Sequence, residues 1–555
     1  MYPHDRSQTD IPRGVRSTTA AWDRINSVTT VPREDGPNPS SKWPFHVSRP
    51  RGPREASEYR PADNERRDRL MSQMHDRIHG QLPTEAPDEA ADRIQTTATV
   101  AVSGFGRVGY PKAVPLALAE RDDPLSLTIL SGGSVGDEID TKLVESGAID
   151  RRLPYQATIT LREEANNGSI AYHDRHIAGF GDEIRTGVYG SVDVAVIEAI
   201  AVGENWLVPS TSIGHSVACV EAADRLIVEV NETQPLELQQ IHDVYEIGSL
   251  LDREPIPLVN PDDTLGDSRV TFPADKLVSV VETRTRDSPY SFREPTDGDL
   301  QIADNFTAFL REEVRSSSLY DDRVTLQFGV GSLGNALMSE LQTVDLDGRK
   351  IAYFGEVIQD GLLDLIDSGR LSVASATSLA LSEDGQSRLF DDIDTYSEEI
   401  VLRPAEITNS PEVVRRLGVI GVNSGLEVDL YGHVNSTHID GSTVVNGIGG
   451  SADFNRNAML SVVALNSTAK GGEINRIVPM VPHVDHTEHD VDIIVTEQGV
   501  ADMRGKSPRE RAQTVIDNCA HPTYRSDLRN YLDSADENGG HIPHDLNTAF
   551  ADRNR

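Results

Sequence analysis

Two stretches far apart in the chain share one design, and that design limits the folds available. Thr97–Ser103 is β-rich and runs into Gly104-Phe105-Gly106-Arg107-Val108-Gly109-Tyr110-Pro111-Lys112, after which Ala113–Ala119 reads as a helix. Val324–Phe328 runs into Gly329-Val330-Gly331-Ser332-Leu333-Gly334-Asn335-Ala336 and a helix to Leu341. A strand, a glycine turn and a helix in that order face backbone N–H groups toward the turn, an anion-cradle layout. The first turn also fits G-x-G-x-x-G at Gly104, Gly106 and Gly109. No acid ends the next strand, Ser126–Ser131, where a ribose contact would be needed, which argues against a dinucleotide site.

Val192–Ile200, Leu226–Val230 and Leu277–Glu282 read as further strands, with helix-like segments between them. Alternating β and α elements imply mostly parallel sheets covered on both sides. The polar, proline-bearing stretch Thr283–Gly298 reads as a linker. A chain of 555 residues is too long for one core. Two or three domains are therefore expected, the simplest account being two α/β sheets in the same style, in residues 71–290 and 291–555. The tail beyond Asp533 is polar and is expected to fray.

Residues 1–70 stand apart from this pattern. They hold 13 bases and 10 acids, two of the three tryptophans (Trp22 and Trp43) and frequent proline, without apolar periodicity. This is the signature of a basic, disordered extension. Met71 and Met74 lie at the switch in composition, which suggests translation from near Met71; a genuine basic tail is the alternative.

The whole chain carries 89 acids against 52 bases, a net charge of −37, and only seven of the bases are lysine. Such a surface repels nucleic acid and anionic lipid, whose phosphates need clustered cations. It suits a halophilic cytoplasm, because molar salt screens charge within about 3 Å; ordinary acidity is the alternative. Cys219 and Cys519 are far apart and lack histidine partners at metal-ligand spacing, which fits a reducing cytosol. The apolar run near Val192–Val202 contains Asp193 and Glu198 and is about half a membrane span long. A cytoplasmic location is expected.

Among the acids, Glu356 has the most suggestive position. The apolar run from Ile351 through Phe354 ends at Gly355-Glu356, and Leu362, Leu363, Leu365 and Ile366 follow at helical spacing. Open α/β sheets hold ligands just beyond strand carboxyl ends. Taken alone, an acid there is more simply read as a helix-start residue that favours the dipole. Gly447-Ile448-Gly449-Gly450-Ser451 is a third glycine turn entering a helix, and amides in such turns stabilise oxyanions. Lys470 is the only lysine between Lys350 and Lys506 and is a candidate for a ligand phosphate or a solvated loop residue. His483, His486 and His489 recur every three residues, but i and i+6 diverge by about 120° on a helix, so a polar wall or structural role is favoured over metal. Val491–Val495 delivers Glu497 to another strand end.

Several of these motifs together resemble the acetyl-CoA hydrolase/transferase family of CoA-transferases. They are FGEVIQDG, GGSADFNRNAMLS and STAKGGEINRIVPMVPHVDHTEHDVDIIVTEQGVADMRGKSPRERA, with SGFGRVGYPKAVPLAL and SGGSVGDEID in the first half. The likeness spans roughly residues 75–535 and is nearer the succinate:acetate CoA-transferase and acetyl-CoA hydrolase subgroup than the 4-hydroxybutyrate CoA-transferases. It implies two tandem CoA-transferase α/β domains with the site between them, usually as a homodimer. Glu356 matches the family's nucleophile, which carries CoA as a glutamyl thioester.

By the same resemblance Gly450 and an amide of the Gly331–Leu333 turn form the oxyanion hole. Gly331, Ser332, Leu333, Asn409, Gly449 and Lys470 contact CoA. Ser134 and Glu497 line the carboxylate pocket, with Glu497 positioning the nucleophile. Ala452 stands where the family motif carries glycine, which bears on acyl-chain preference. No permanent cofactor or metal is implied; coenzyme A is a substrate beside a short-chain acid such as acetate or succinate. Hydrolysis of acetyl-CoA is the alternative reaction. A non-catalytic sensor on the same fold would not need Glu356.

Overall fold

The computed structural model describes residues 77–550. The expected extension 1–70 and its start-site question lie outside the described residues. All described residues belong to one compact unit, Asp68–Arg555.

Seven strands of the first half are β1 (Thr97–Val102), β2 (Ser126–Ser131), β3 (Ile149–Leu153), β4 (Ala171–Tyr172), β5 (Val194–Val202), β6 (Leu226–Asn231) and β7 (Leu277–Thr283). They pair in parallel in the order β4-β3-β2-β1-β5-β6-β7. Two short antiparallel strands, Trp206–Pro209 and Val270–Thr271, complete a nine-stranded sheet. In the second half the strands are β8 (Arg323–Phe328), β9 (Lys350–Phe354), β10 (Leu371–Ala376), β11 (Ile400–Leu402), β12 (Ile420–Ser424), β13 (Leu460–Ala464) and β14 (Ile493–Thr496). Their order, β11-β10-β9-β8-β12-β13-β14, repeats the first sheet strand for strand. An antiparallel strand, Gly499–Asp502, closes its edge. β5 is buried at all nine positions, as a near-continuous apolar run in a sheet covered on both faces should be.

Four helices position the site: α1 (Ala113–Ala119), α2 (Ile177–Arg185), α3 (Ser332–Leu341) and α4 (Ser451–Asn457). α1 and α3 each follow the glycine turn of their half. A single apolar cluster runs through both sheets, from Leu153 and Val228 to Leu326 and Ile493. Backbone hydrogen bonds add register to that packing: Ile213 N–H to Thr377 O (2.9 Å), Leu379 N–H to Thr211 O (3.1 Å) and Ala405 N–H to Gly214 O (2.8 Å). Arg403 and Asp243 form an ion pair across the same seam, both fully buried.

One expectation gains detail and one needs correcting. The stretch between β7 and the helix Asp297–Ser316 is a polar linker without regular secondary structure, as expected, and it is also pinned to the first half. Its Asp287 is buried, accepts the Gly109 N–H at 3.2 Å and pairs with Lys112 at 2.9 Å. Polarity there marks an internal ion pair. The tail beyond Asp533 is not frayed: helix Arg525–Asn538 continues past it, and the following residues fold back. Tyr431 donates to the Pro543 carbonyl, Ser534 to Asp545 (3.0 Å), and Ala549 is 4% exposed.

Candidate active site

Glu356 stands between β9 and the two-residue strand Val357–Ile358, so its backbone is fixed on both sides. Gly355 is required by close approach, since a Cβ there would lie 2.5 Å from the Tyr353 hydroxyl, which donates to the Val357 carbonyl at 3.0 Å. Val357–Ile358 pairs in parallel with Ser378–Leu379, and the Thr377 and Ser378 amides donate to the Glu356 carbonyl at 2.9 and 3.1 Å. Those partners belong to the segment that the first half's Thr211–Gly214 loop also grips. The nucleophile candidate therefore sits at the seam between the sheets.

The Glu356 side chain is half-buried. Its Oε1 accepts one hydrogen of the Asn409 amide at 2.9 Å, and the other hydrogen goes to Asp453 Oδ2 at 3.1 Å. Asp453 also accepts the Ala178 N–H of α2 at 2.9 Å. Burial pushes the Glu356 carboxyl up to about 7, with the Asn409 hydrogen bond opposing. Burial likewise raises Asp453 to about 7, and the charge of Glu356 adds to the rise.

The turn 447–450 is held against this carboxylate from the first half. Asp174 accepts the Ile448 N–H at 2.8 Å, and Asn166 exchanges two 2.9 Å hydrogen bonds with the Val444 backbone. The Tyr155 ring lies where a Cβ on Gly447 would be, 2.4 Å away. At Gly450 a Cβ would stand 2.0 Å from Glu356 Oε1 and 2.4 Å from Asn409 Nδ2, so only glycine brings the backbone this close. Gly449 takes φ 53° and Gly331 φ 135°, and a Cβ on Gly331 would meet nothing within 4 Å. The Gly331 amide donates to Gln359 Oε1 at 3.0 Å, while Ser332 and Leu333 are half-buried at the start of α3.

Other expected site residues fall differently. Glu497 lies in the turn between β14 and Gly499–Asp502, and its carboxylate takes the Ser467 amide (2.7 Å), the Ser467 hydroxyl and the Gln498 amide (3.0 Å). Burial works against its ionisation, but those donors win and hold the carboxyl below its ordinary value. The immediate partner of Glu356 is Asn409, expected only as a CoA contact, with Asp453 behind it. Lys470 is exposed on a turn with φ 48°. Ser134 is half-buried and its carbonyl accepts the Arg107 N–H at 3.0 Å. His486 is 1% exposed and burial lowers it to about 4; His483 faces Asp485 and His489 faces Glu488.

The first half's anion cradle is occupied by the chain itself. The Glu229 carboxylate accepts the amides of Lys112 (2.8 Å), Ala113 (3.0 Å) and Val114 (2.7 Å) at the start of α1. Asp453 and Glu229 escaped the sequence reading. Asp453 looks like an ordinary acid in the first turn of a helix, and Glu229 like the polar residue of a strand.

Comparison with known proteins bears on this arrangement. The acetyl-CoA hydrolase/transferase N-terminal domain matches residues 72–253 and the C-terminal domain residues 385–532, with Glu356 between the two segments. A succinyl-CoA:acetate CoA-transferase of Clostridium kluyveri is 45% identical over 470 residues, covering 84% of this chain and 87% of its own. A propanoyl-CoA:succinate CoA transferase of Escherichia coli is 41% identical over 473 residues, covering 83% and 95%. Among solved structures, RipA from Yersinia pestis shares the fold with a TM-score of 0.62 at 20% identity, covering 85% of this chain and 99% of RipA. The chain belongs to the acetyl-CoA hydrolase/transferase family.

Proposed function

We propose that the protein moves CoA between a short-chain acyl-CoA and a free carboxylate, with Glu356 as covalent nucleophile. The observation that carries this reading is the Glu356 carboxylate itself, partly stripped of water at the seam and one Cβ away from Gly450. A poorly solvated carboxylate is a stronger nucleophile than one in bulk water. It attacks the acyl-CoA thioester carbonyl, expelling CoA thiolate and forming an acyl–glutamyl anhydride. The thiolate then attacks the glutamyl carbonyl, releasing the first carboxylate and leaving CoA on Glu356 as a thioester. A second carboxylate attacks that thioester, and the returning thiolate takes the new acyl group, regenerating Glu356. Anhydride and thioester keep the acyl group activated throughout.

In this reading the Gly450 amide and the Gly331–Leu333 turn stabilise the tetrahedral oxyanions, an interaction worth about 3–4 kcal/mol per donor. Asn409 holds Glu356 in line, Lys470 and Gly449 meet CoA, and Ser134 and Glu497 line the acid pocket. A homodimer in a salt-rich cytoplasm completes the proposal; the Lys-poor charge of −37 supports the salt-rich setting. Hydrolysis differs only in that water intercepts the acyl-enzyme. The two are separated by supplying acetyl-CoA with and without succinate: succinyl-CoA formation without net CoA release is expected, whereas equal CoA release in both would make the protein a hydrolase.

A further inference from the structure

The amide of Asn409 is fully committed. Its oxygen accepts the Thr408 hydroxyl at 2.9 Å, which sets the NH2 group toward the two carboxylates. One hydrogen goes to Glu356 and the other to Asp453, and neither Asn409 (0% exposed) nor Asp453 (6% exposed) has bulk water to replace a lost partner. Asp453 is itself anchored from the other half of the molecule, through the Ala178 N–H near the start of α2. The four groups form one line: Ala178 amide, Asp453 carboxyl, Asn409 amide, Glu356 carboxyl. Without the Asp453 oxygen the Asn409 amide has one hydrogen unpaired in a buried site, and rotating to pair it takes the other hydrogen off Glu356.

We propose that Asp453 is a positioning residue for the reaction, holding the Asn409 amide so that its second hydrogen stays on the Glu356 carboxyl oxygen. The inference rests on reading Glu356 as the nucleophile. Asp453 touches no reacting atom; it acts through Asn409, and the Ala178 contact makes that action depend on the two halves being docked.

The test is the single-turnover rate of CoA-thioester formation on the full-length enzyme mixed with acetyl-CoA, read by mass spectrometry. Asp453→Ala is expected to slow that step roughly 10- to 100-fold, the scale of a small misplacement of reacting groups, with KM for acetyl-CoA little changed. Asp453→Asn, whose side-chain oxygen accepts the same two hydrogen bonds, is expected to recover most of the loss. The double variant Asp453→Ala/Asn409→Ala should be no slower than Asn409→Ala alone, because both removals act on one contact. If Asp453→Ala does not fold, Asp453→Glu, which moves the carboxyl by one methylene, is expected to show the same slowing. Wild-type rates in Asp453→Ala or Asp453→Glu, multiplied losses in the double variant, or no recovery in Asp453→Asn would overturn the proposal. Thioester formed by Glu356→Gln would instead remove the nucleophile reading, and the proposal with it.

Discussion

The two halves of this protein have the same strand order and the same strand, glycine turn and helix unit, yet the first fills its helix start with a carboxylate of its own, while the second gives its Gly331 amide only the neutral oxygen of Gln359. In the first half Glu229, on β6, fills the amides of residues 112–114, and Lys112 is locked between Glu198 and Asp287. The strand registers show what changed. Val102 pairs with Val196 and Val196 with Ile227, while Phe328 pairs with Val422 and Val422 with Val462. Two residues further along, Glu229 in the first half corresponds to Ala464 in the second, and Glu198 to Ser424. At those positions the second half carries no carboxylate; Gln359 Oε1 takes the Gly331 amide at 3.0 Å, and a Cβ on Gly331 would meet nothing within 4 Å, so that side is open. On the proposed function, one fold serves as a brace where it supplies its own anion and receives the ligand on the open side where it does not.

Three substitutions probe this division. The largest effect is expected at the open side. Gly450→Ala puts a methyl group where Glu356 and Asn409 meet, 2.0 Å from Oε1, and is expected to lower kcat/KM by about 10²–10³-fold with an unchanged far-UV spectrum. Activity near wild type would mean that the glycine turn is not the reacting face. At the closed side, Glu229→Ala leaves the Lys112, Ala113 and Val114 amides without their acceptor. A loss of about 2–4 kcal/mol in denaturant unfolding is expected, with kcat per folded molecule retained. A loss of activity without a loss of stability would show that the first half also receives ligand.

The smallest effect concerns pH. Attack requires ionised Glu356, so kcat/KM is expected to fall as pH drops through about 7. Stability runs the other way. A folded-state carboxyl raised above its unfolded value costs stability as pH rises from the usual carboxylate range to about 7, and the whole cost is present above that. Glu356→Gln removes the charge, so it is expected to unfold about 1–3 kcal/mol harder than wild type at pH 8, with the difference vanishing toward pH 4.5. Equal melting at pH 8 would place Glu356 in a more solvated setting.

Much of this was legible before the structure. The parallel strands showed as apolar runs, and Glu356 stood out because a strand end followed by a helix start places an acid where ligands bind. The partners of Glu356 were less legible, since Asn409 and Asp453 are far from it in sequence and meet it only through packing. Glu497, also at a strand end and given its role by the family resemblance, has its carboxylate held by the Ser467 amide, a contact no sequence spacing announces. The buried acids Glu229 and Asp287 were hidden for a related reason. A strand with one acid, or a polar linker, does not say which side chain will find an internal cation or a row of amides. The fold-back after Asp533 depends on hydroxyl and carboxyl contacts such as Ser534 to Asp545, which leave no apolar period to read.

The most direct test of the central claim is to trap the covalent intermediate. The enzyme is incubated with acetyl-CoA without an acceptor acid, treated with borohydride or hydroxylamine, digested, and mapped by mass spectrometry. The modification is expected on Glu356 alone, and Glu356→Ala is expected to lose both the label and turnover. An unmodified Glu356 peptide, or turnover persisting in Glu356→Ala, would contradict the account.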